Sequence, residues 1–377
     1  MPDGGTPPEA PVDADRQAKA RRYSTIKRRL GLFELALSAA LMSVLVFTSL
    51  SRYLSGFLDL PAVLSALCYF LLLMVAYSLI TAPLSYYAGL VLPRRYGLSR
   101  QNFKDWLADG LKSGVLSLAL GMVIVAAVYC LMSLSALWWL WAWVITMLIS
   151  VVLSGLAPLV ILPLFYKTRP LAEGELRDKL LELAAKAGLD INGIYAVEFS
   201  AKTSTANAAL MGMGRTRRIL LSDTLIDSYT TEEILTVMGH EMGHQRHRDT
   251  LRLFVFQGLM LLLTFYLAAA LMGALAPALG YGGITDTAAL PLLILIIAAL
   301  GFITAPLLAV FSRYIERQAD LYTLKLTDMP DAFISAMSRL TDQNLAEAAP
   351  PRWVEVLMDD HPSYRQRVDM AQRFKKA

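Results

Sequence analysis

The sequence predicts a mainly α-helical, polytopic membrane protein with about six transmembrane helices and a small mixed α/β part at one membrane face. Three observations carry that expectation. Hydrophobic residues make up 56% of the 377 residues and charged residues 18%, with a mean hydropathy of +0.48, a balance expected of a chain that lies largely in lipid. Six apolar stretches, roughly 32–50, 61–82, 114–133, 137–162, 251–276 and 288–311, are each long enough to cross about 30 Å of hydrocarbon. A polar insert over 164–250 and a polar tail over 312–377 separate and follow them, leaving membrane parts of four helices (31–163) and two helices (251–311).

The N-terminal segment 1–30 reads as a disordered basic tail. Residues 2–15 are rich in Pro, Gly and acidic side chains, and Arg16, Lys19, Arg21, Arg22, Lys27, Arg28 and Arg29 follow. No cleavable signal peptide is expected, because the first apolar stretch lies too far in, is too long and lacks a small-residue cleavage site. Basic residues set the orientation. Arg94, Arg95, Arg100, Lys104 and Lys112 lie between the second and third stretches, and the insert and tail are also rich in Lys and Arg. The three alternate loops hold one basic residue, Arg52. Both termini and the polar insert are therefore expected on the cytoplasmic side. The net charge of +4 follows from that asymmetry. No basic patch is interleaved with aromatics, so the expected partner is a lipid bilayer and not a nucleic acid. Cys68 and Cys130 fall within apolar stretches and read as packing residues.

Within the insert, 171–188 carries Leu171, Leu176, Leu180, Leu181, Leu183 and Ala184 along one side, as an amphipathic helix would. Ile191–Phe199 alternates like a strand, and Asn207–Leu210 and Arg218–Leu221 fit two strands around Gly212-Met213-Gly214-Arg215. Thr230 and Glu233 fit a capping box, and Ile234, Leu235, Val237 and Met238 supply an apolar face to the helix that it starts. That helix carries His240-Glu241-Met242-Gly243-His244, an HExxH motif.

Two histidines four apart leave one face of a helix, where both ring nitrogens can hold one Zn²⁺. Glu241 beside them can take a proton from an attacking water. The chain has four His, and this motif uses two of them. A catalytic zinc site needs a third protein ligand and one open position. After the sixth stretch, Glu316 and Asp320 are four apart and share a helix face, so Glu316 can ligate while Asp320 orients a ligand His. Spacing alone leaves a solvated, charged helix end open beside this reading. It also leaves Asp249 and Asp223 as rival oxygen donors, and His247 as a rival nitrogen flanked by Arg246 and Arg248.

Taken together, these residues resemble the M48 zinc metallopeptidases, specifically the integral-membrane branch of type I CAAX prenyl proteases. The likeness covers roughly residues 55–375. Its parts, in family order, are Arg95–Gln101 with Ala108–Lys112, Pro163–Lys167 with Pro170–Leu176, Ala206-Asn207-Ala208, Arg218–Leu225, HEMGH, Glu316–Asp320, Gln343–Ala346 and His361-Pro362. The resemblance implies a gluzincin-like catalytic part at the cytoplasmic face, with one Zn²⁺ held by His240, His244 and Glu316. It implies Glu241 as general base and Asp320 as the residue behind a ligand His. It also implies that Asn207 binds the substrate backbone, and that His361 and Arg367 contact the substrate or the developing oxyanion. The implied partner is a peptide or protein, prenylated or not. Eukaryotic members carry a further N-terminal span, often a His where Thr205 stands, and an aromatic where Ala209 stands. Six spans fit a bacterial plasma-membrane protein better than one of the endoplasmic reticulum.

Competing readings are a broad-specificity quality-control protease of the same superfamily, a site-2-type intramembrane protease, and a transporter or scaffold with a vestigial zinc site. The second would want an Asp-Gly ligand motif in a later span, whereas Asp3-Gly4 and Asp109-Gly110 precede HEMGH. The third predicts damage to the ligand set or to Glu241, and both are intact.

Overall fold

The computed structural model describes residues 12–212 and 214–376. Among them, six helices are long and apolar enough to cross a membrane: Ala14–Phe47, Ala62–Arg95, Phe103–Leu134, Trp138–Phe165, Asp249–Ala278 and Thr287–Thr327. Each covers most of the apolar stretch read from the sequence and is longer than it, because hydropathy registers only the lipid-facing length whereas backbone hydrogen bonding continues into the polar layer; the first stretch, 32–50, runs past the helix end at Phe47. Large side chains such as Leu79, Val115, Leu148, Phe302 and Ile303 are exposed, as lipid-facing residues should be. The second and fourth spans each pass through a π-helical turn, Tyr87–Val91 and Ala157–Ile161, just before a proline. Together the spans make this a multi-pass membrane protein.

The expected disordered tail over 1–30 is corrected in part. Residues 2–11 lie outside those described, but from Ala14 onward the segment is one helix continuous with the first span. Asp13 caps it, its side chain accepting from the Arg16 N–H. Tertiary contacts then hold it. Gln17, 4% exposed, donates to Asp342 Oδ1 and the Ala346 carbonyl and accepts from the Ala348 N–H. Arg28 pairs with Glu347 at 2.8 Å. Charge composition alone could not reveal a docking surface 300 residues away.

The polar part holds a four-stranded sheet in the order β1-β2-β4-β3, with β1 Thr168–Pro170, β2 Gly193–Val197, β3 Ala208–Met211 and β4 Arg218–Ser222. β2 and β4 are parallel, and β1 and β3 flank them antiparallel, so β3 is an edge strand. The sequence reading anticipated β2, β3 and β4 but not β1, which is too short and too exposed to show alternation. Helix Glu175–Lys186 packs Leu180 and Leu183 into a core shared with Ile219 and Leu221 of β4. Met238 and Met242 of the motif helix and Phe333 complete it. Full burial of each such side chain stabilises by about 1.5–3 kcal/mol, so this core fixes the motif helix against the sheet.

Candidate active site and metal centre

The motif helix runs Thr231–His247 and begins with the expected capping box. Glu233 is buried there and satisfied, accepting from the Thr230 N–H at 2.9 Å, from Ser335 at 2.6 Å and from Arg339 at 2.7 Å. The helix crosses the C-terminal part of the long helix Leu290–Thr327 at two glycines. A Cβ on Gly239 would meet the Thr323 side chain at 3.1 Å, and one on Gly243 would meet the Ala319 Cα at 3.1 Å. This close approach sets Glu316 and Asp320 against the two histidines.

The donor atoms of His240, His244 and Glu316 lie within 4.8 Å of one another. The two Nε2 atoms are 3.1 Å apart. Glu316 Oε2 is 3.1 Å from His240 Nε2, and Glu316 Oε1 is 3.4 Å from His244 Nε2. Glu316 Oε2 is buried with no hydrogen-bond partner. A buried carboxylate oxygen left so is costly, and a cation between the three donors removes that cost. Two imidazole nitrogens and one carboxylate also form the donor set of catalytic zinc sites, so the residues fit the ion that the motif implies.

Both imidazoles are backed by carboxylates. Asp320, fully buried, lies 2.9 Å from His240 Nδ1. Asp249, 1% exposed, lies 3.0 Å from His244 Nδ1. Each turns Nε2 toward the shared centre. Asp249, a rival ligand by spacing alone, stands behind a ligand instead. Arg248 makes this possible by taking left-handed backbone angles, φ 55° and ψ 41°, which end the motif helix and start the next at Asp249. Burial works against charge on both histidines, but Asp320 and Glu316 outweigh it at His240 and raise its pKa. Asp249 and Glu316 do the same at His244, lifting it to about 10.

A cavity of about 550 Å³ opens over the centre, lined by Asn207, His240, Glu241, His361 and Arg367 among others. Its volume suits a peptide segment or a small ligand. Asn207 is exposed at the start of edge strand β3, its backbone N–H bonded to Ser222 Oγ. Gln343 and Asn344 hold the approach to that strand. Asn344 accepts from the Ala206 N–H at 2.9 Å and donates to the Ala206 carbonyl at 3.1 Å, while Gln343 donates to the Ser204 carbonyl at 2.8 Å. His361 Nε2 reaches to 3.4 Å from Glu316 Oε1. Arg367 grips Asp320 with Nε at 2.9 Å and with Nη2, and Nη2 lies 3.4 Å from His240 Nδ1.

The other candidates are placed elsewhere. Asp223 accepts from the Phe199 and Ser200 N–H groups at 2.9 Å, which ties down the loop after β2. His247 packs edge-on against Tyr322. Ser24 and Arg28 of the first helix also line the cavity, a contribution that sequence reading missed by treating that segment as a tail.

Residues 170–375 match the family described as Peptidase family M48, more than half of the chain. The chain belongs to peptidase family M48. Residues 6–167 match the CAAX prenyl protease N-terminal region, described with five membrane helices, where the described residues hold four. Among relatives of this M48 chain, the uncharacterized metalloprotease YhfN of Bacillus subtilis (strain 168) is 30% identical over 96% of this chain and 86% of its own length. CAAX prenyl protease 1 of Saccharomyces cerevisiae is 28% identical over 69% of this chain, which spans 60% of that enzyme. The crystal structure of S. mikatae Ste24p has the same fold, with a TM-score of 0.84 at 25% identity over 98% of this chain and 92% of that one. The M48 chain is thus a membrane metalloprotease, whose substrates are peptides and whose surroundings are a bilayer.

Proposed function

We propose that this metalloprotease is a membrane-embedded zinc endopeptidase cleaving CAAX-type, prenylated or other membrane-associated peptides. The carrying observation is the cluster of His240, His244 and Glu316 under a cavity that Glu241, Asn207, His361 and Arg367 also line. Zinc, when bound there, supplies a Lewis acid beside the scissile carbonyl. Glu241 takes a proton from the attacking water and delivers it to the leaving amine. Asn207 holds the substrate backbone, which lies extended beside β3. His361 donates to the oxygen on which charge develops. Arg367 fixes Asp320, which keeps the His240 lone pair aimed at the centre. The flanking charges support a site at the cytoplasmic face of a bacterial plasma membrane, with both termini on that side. A cysteine at Gly283, with Cys68 and Cys130 removed, should be labelled by an impermeant thiol reagent in intact cells, whereas one at Pro8 should not; the reverse would invert the orientation.

The decisive experiment offers farnesylated CAAX peptides and unmodified peptides side by side to the purified protein, with products identified by mass spectrometry and metal by elemental analysis. Cleavage of the farnesylated peptides alone supports CAAX processing. Equal cleavage of both supports the broader substrate range. Zinc-loaded protein that cleaves neither would overturn the proposal.

A further inference from the structure

Asp360 and His361 form a pair that the ligand set does not require. Asp360 Oδ1 lies 2.7 Å from His361 Nδ1. Arg313 anchors the segment that leads into this pair. The guanidinium of this residue, 9% exposed, donates to the Asp359 carbonyl and, at 3.1 Å, to the Val356 carbonyl. Arg313 stands three residues before Glu316 on the same long helix, so the His361 loop is tied to the element that carries the third metal-binding side chain. With Nδ1 turned to Asp360, Nε2 is left facing Glu316 Oε1 and the cavity.

We propose that Asp360 is a positioning residue, which fixes the His361 ring so that Nε2 meets the reacting carbonyl oxygen. The assignment rests on the peptidase reading above. The His361 side chain is 56% exposed, so without a partner its ring is free to turn away. The Asp360 side chain is 73% exposed, so its removal leaves the core untouched.

Asp360→Ala should lower kcat about tenfold, the lower end of what is lost with the carboxylate behind a metal-bound imidazole, with KM, zinc content and Tm unchanged. Asp360→Glu retains a carboxylate acceptor and should recover most of the loss. In a His361→Ala background, Asp360→Ala should have no further effect. A phosphinic peptide mimicking the tetrahedral state should bind Asp360→Ala about tenfold more weakly, while binding of the uncleaved substrate peptide, measured in a Glu241→Gln background, should not change. Wild-type kcat in Asp360→Ala, or additive losses in the double variant, would overturn the positioning role while leaving the peptidase reading intact. A wild-type protein that neither cleaves peptide nor binds the analogue would overturn both.

Discussion

His240 and His244 leave the same helix one turn apart, yet they sit in unequal surroundings. His240 is 8% exposed and backed by a carboxylate that is itself gripped by Arg367, a residue from the C-terminal helix Tyr364–Lys376. His244 is more open and is backed by Asp249, five residues further along the chain, which Arg252 steadies at 2.8 Å. One histidine is therefore held by long-range packing, the other by a local turn. The difference teaches that a ligand pair readable as a single motif depends on two separate pieces of structure.

The first experiment separates proton transfer from metal holding, so that both histidine sides can be compared. Glu241→Gln should lower cleavage by about 10²–10⁴-fold and keep its metal. Metal loss in that variant would mean that Glu241 belongs to the ligand cluster.

Next in size is the Asp320 side. Asp320→Ala leaves Arg367 without its partner and frees the His240 ring. Removing one member of a buried ion pair costs about 3–5 kcal/mol of stability, and a ligand's backing group typically about 10–100-fold in metal affinity or activity. Asp249→Ala should weaken zinc by about tenfold with a smaller drop in Tm, because Arg252 is partly exposed and can be solvated. Equal Tm losses in the two variants, measured by thermal melting at matched zinc, would break the asymmetry.

Proton competition tests the same pair. In the zinc-free protein the carboxylates raise both pKa values, that of His244 to about 10, so near neutral pH zinc must displace bound protons. Affinity should therefore climb as pH rises toward 10 and fall as pH drops, by about tenfold per pH unit for each proton displaced. Titration calorimetry in buffers of differing ionisation enthalpy counts those protons. A pH-independent affinity between 6 and 8 would show that the histidines are already neutral.

Gly243→Ala is expected to have the smallest effect. Helical propensity favours Ala by about 0.8–1.0 kcal/mol, but a Cβ 3.1 Å from the Ala319 Cα overpacks the crossing at about 1–3 kcal/mol. The net result should be a modest fall in Tm, with weaker zinc binding because Glu316 is pushed away. A higher Tm would show that the two helices have room to part.

Much of this was legible beforehand, and the reason differs by residue. The spans are visible because each needs its own run of apolar side chains. Thr230, Glu233, His240, Glu241 and His244 are visible because helix spacing alone puts them together. Glu316 and Asp320 were legible as a pair, but only resemblance to M48 proteins chose Glu316 over Asp249 and Asp223. Asp249 could not be placed because its position hangs on Arg248, a non-glycine residue at φ 55°, and no sequence rule puts arginine there. Helix Ala14–Phe47 was read short, because Gln17 and Arg28 are held by partners more than 300 residues away.

By itself, then, the sequence determined what depends on neighbours along the chain: the six apolar lengths, the capped helix, the two-histidine face and the Glu316–Asp320 face. Tertiary structure decided which faces meet. It brought Asn207 at a strand edge, His361 on a loop hooked by Arg313, Arg367 from the last helix, and Ser24 and Arg28 from the first to one cavity. Chain-local periodicity fixes the direction in which a side chain leaves its element. Convergence of elements far apart in the chain is fixed instead by close packing, such as that of Gly239 and Gly243 against the long helix.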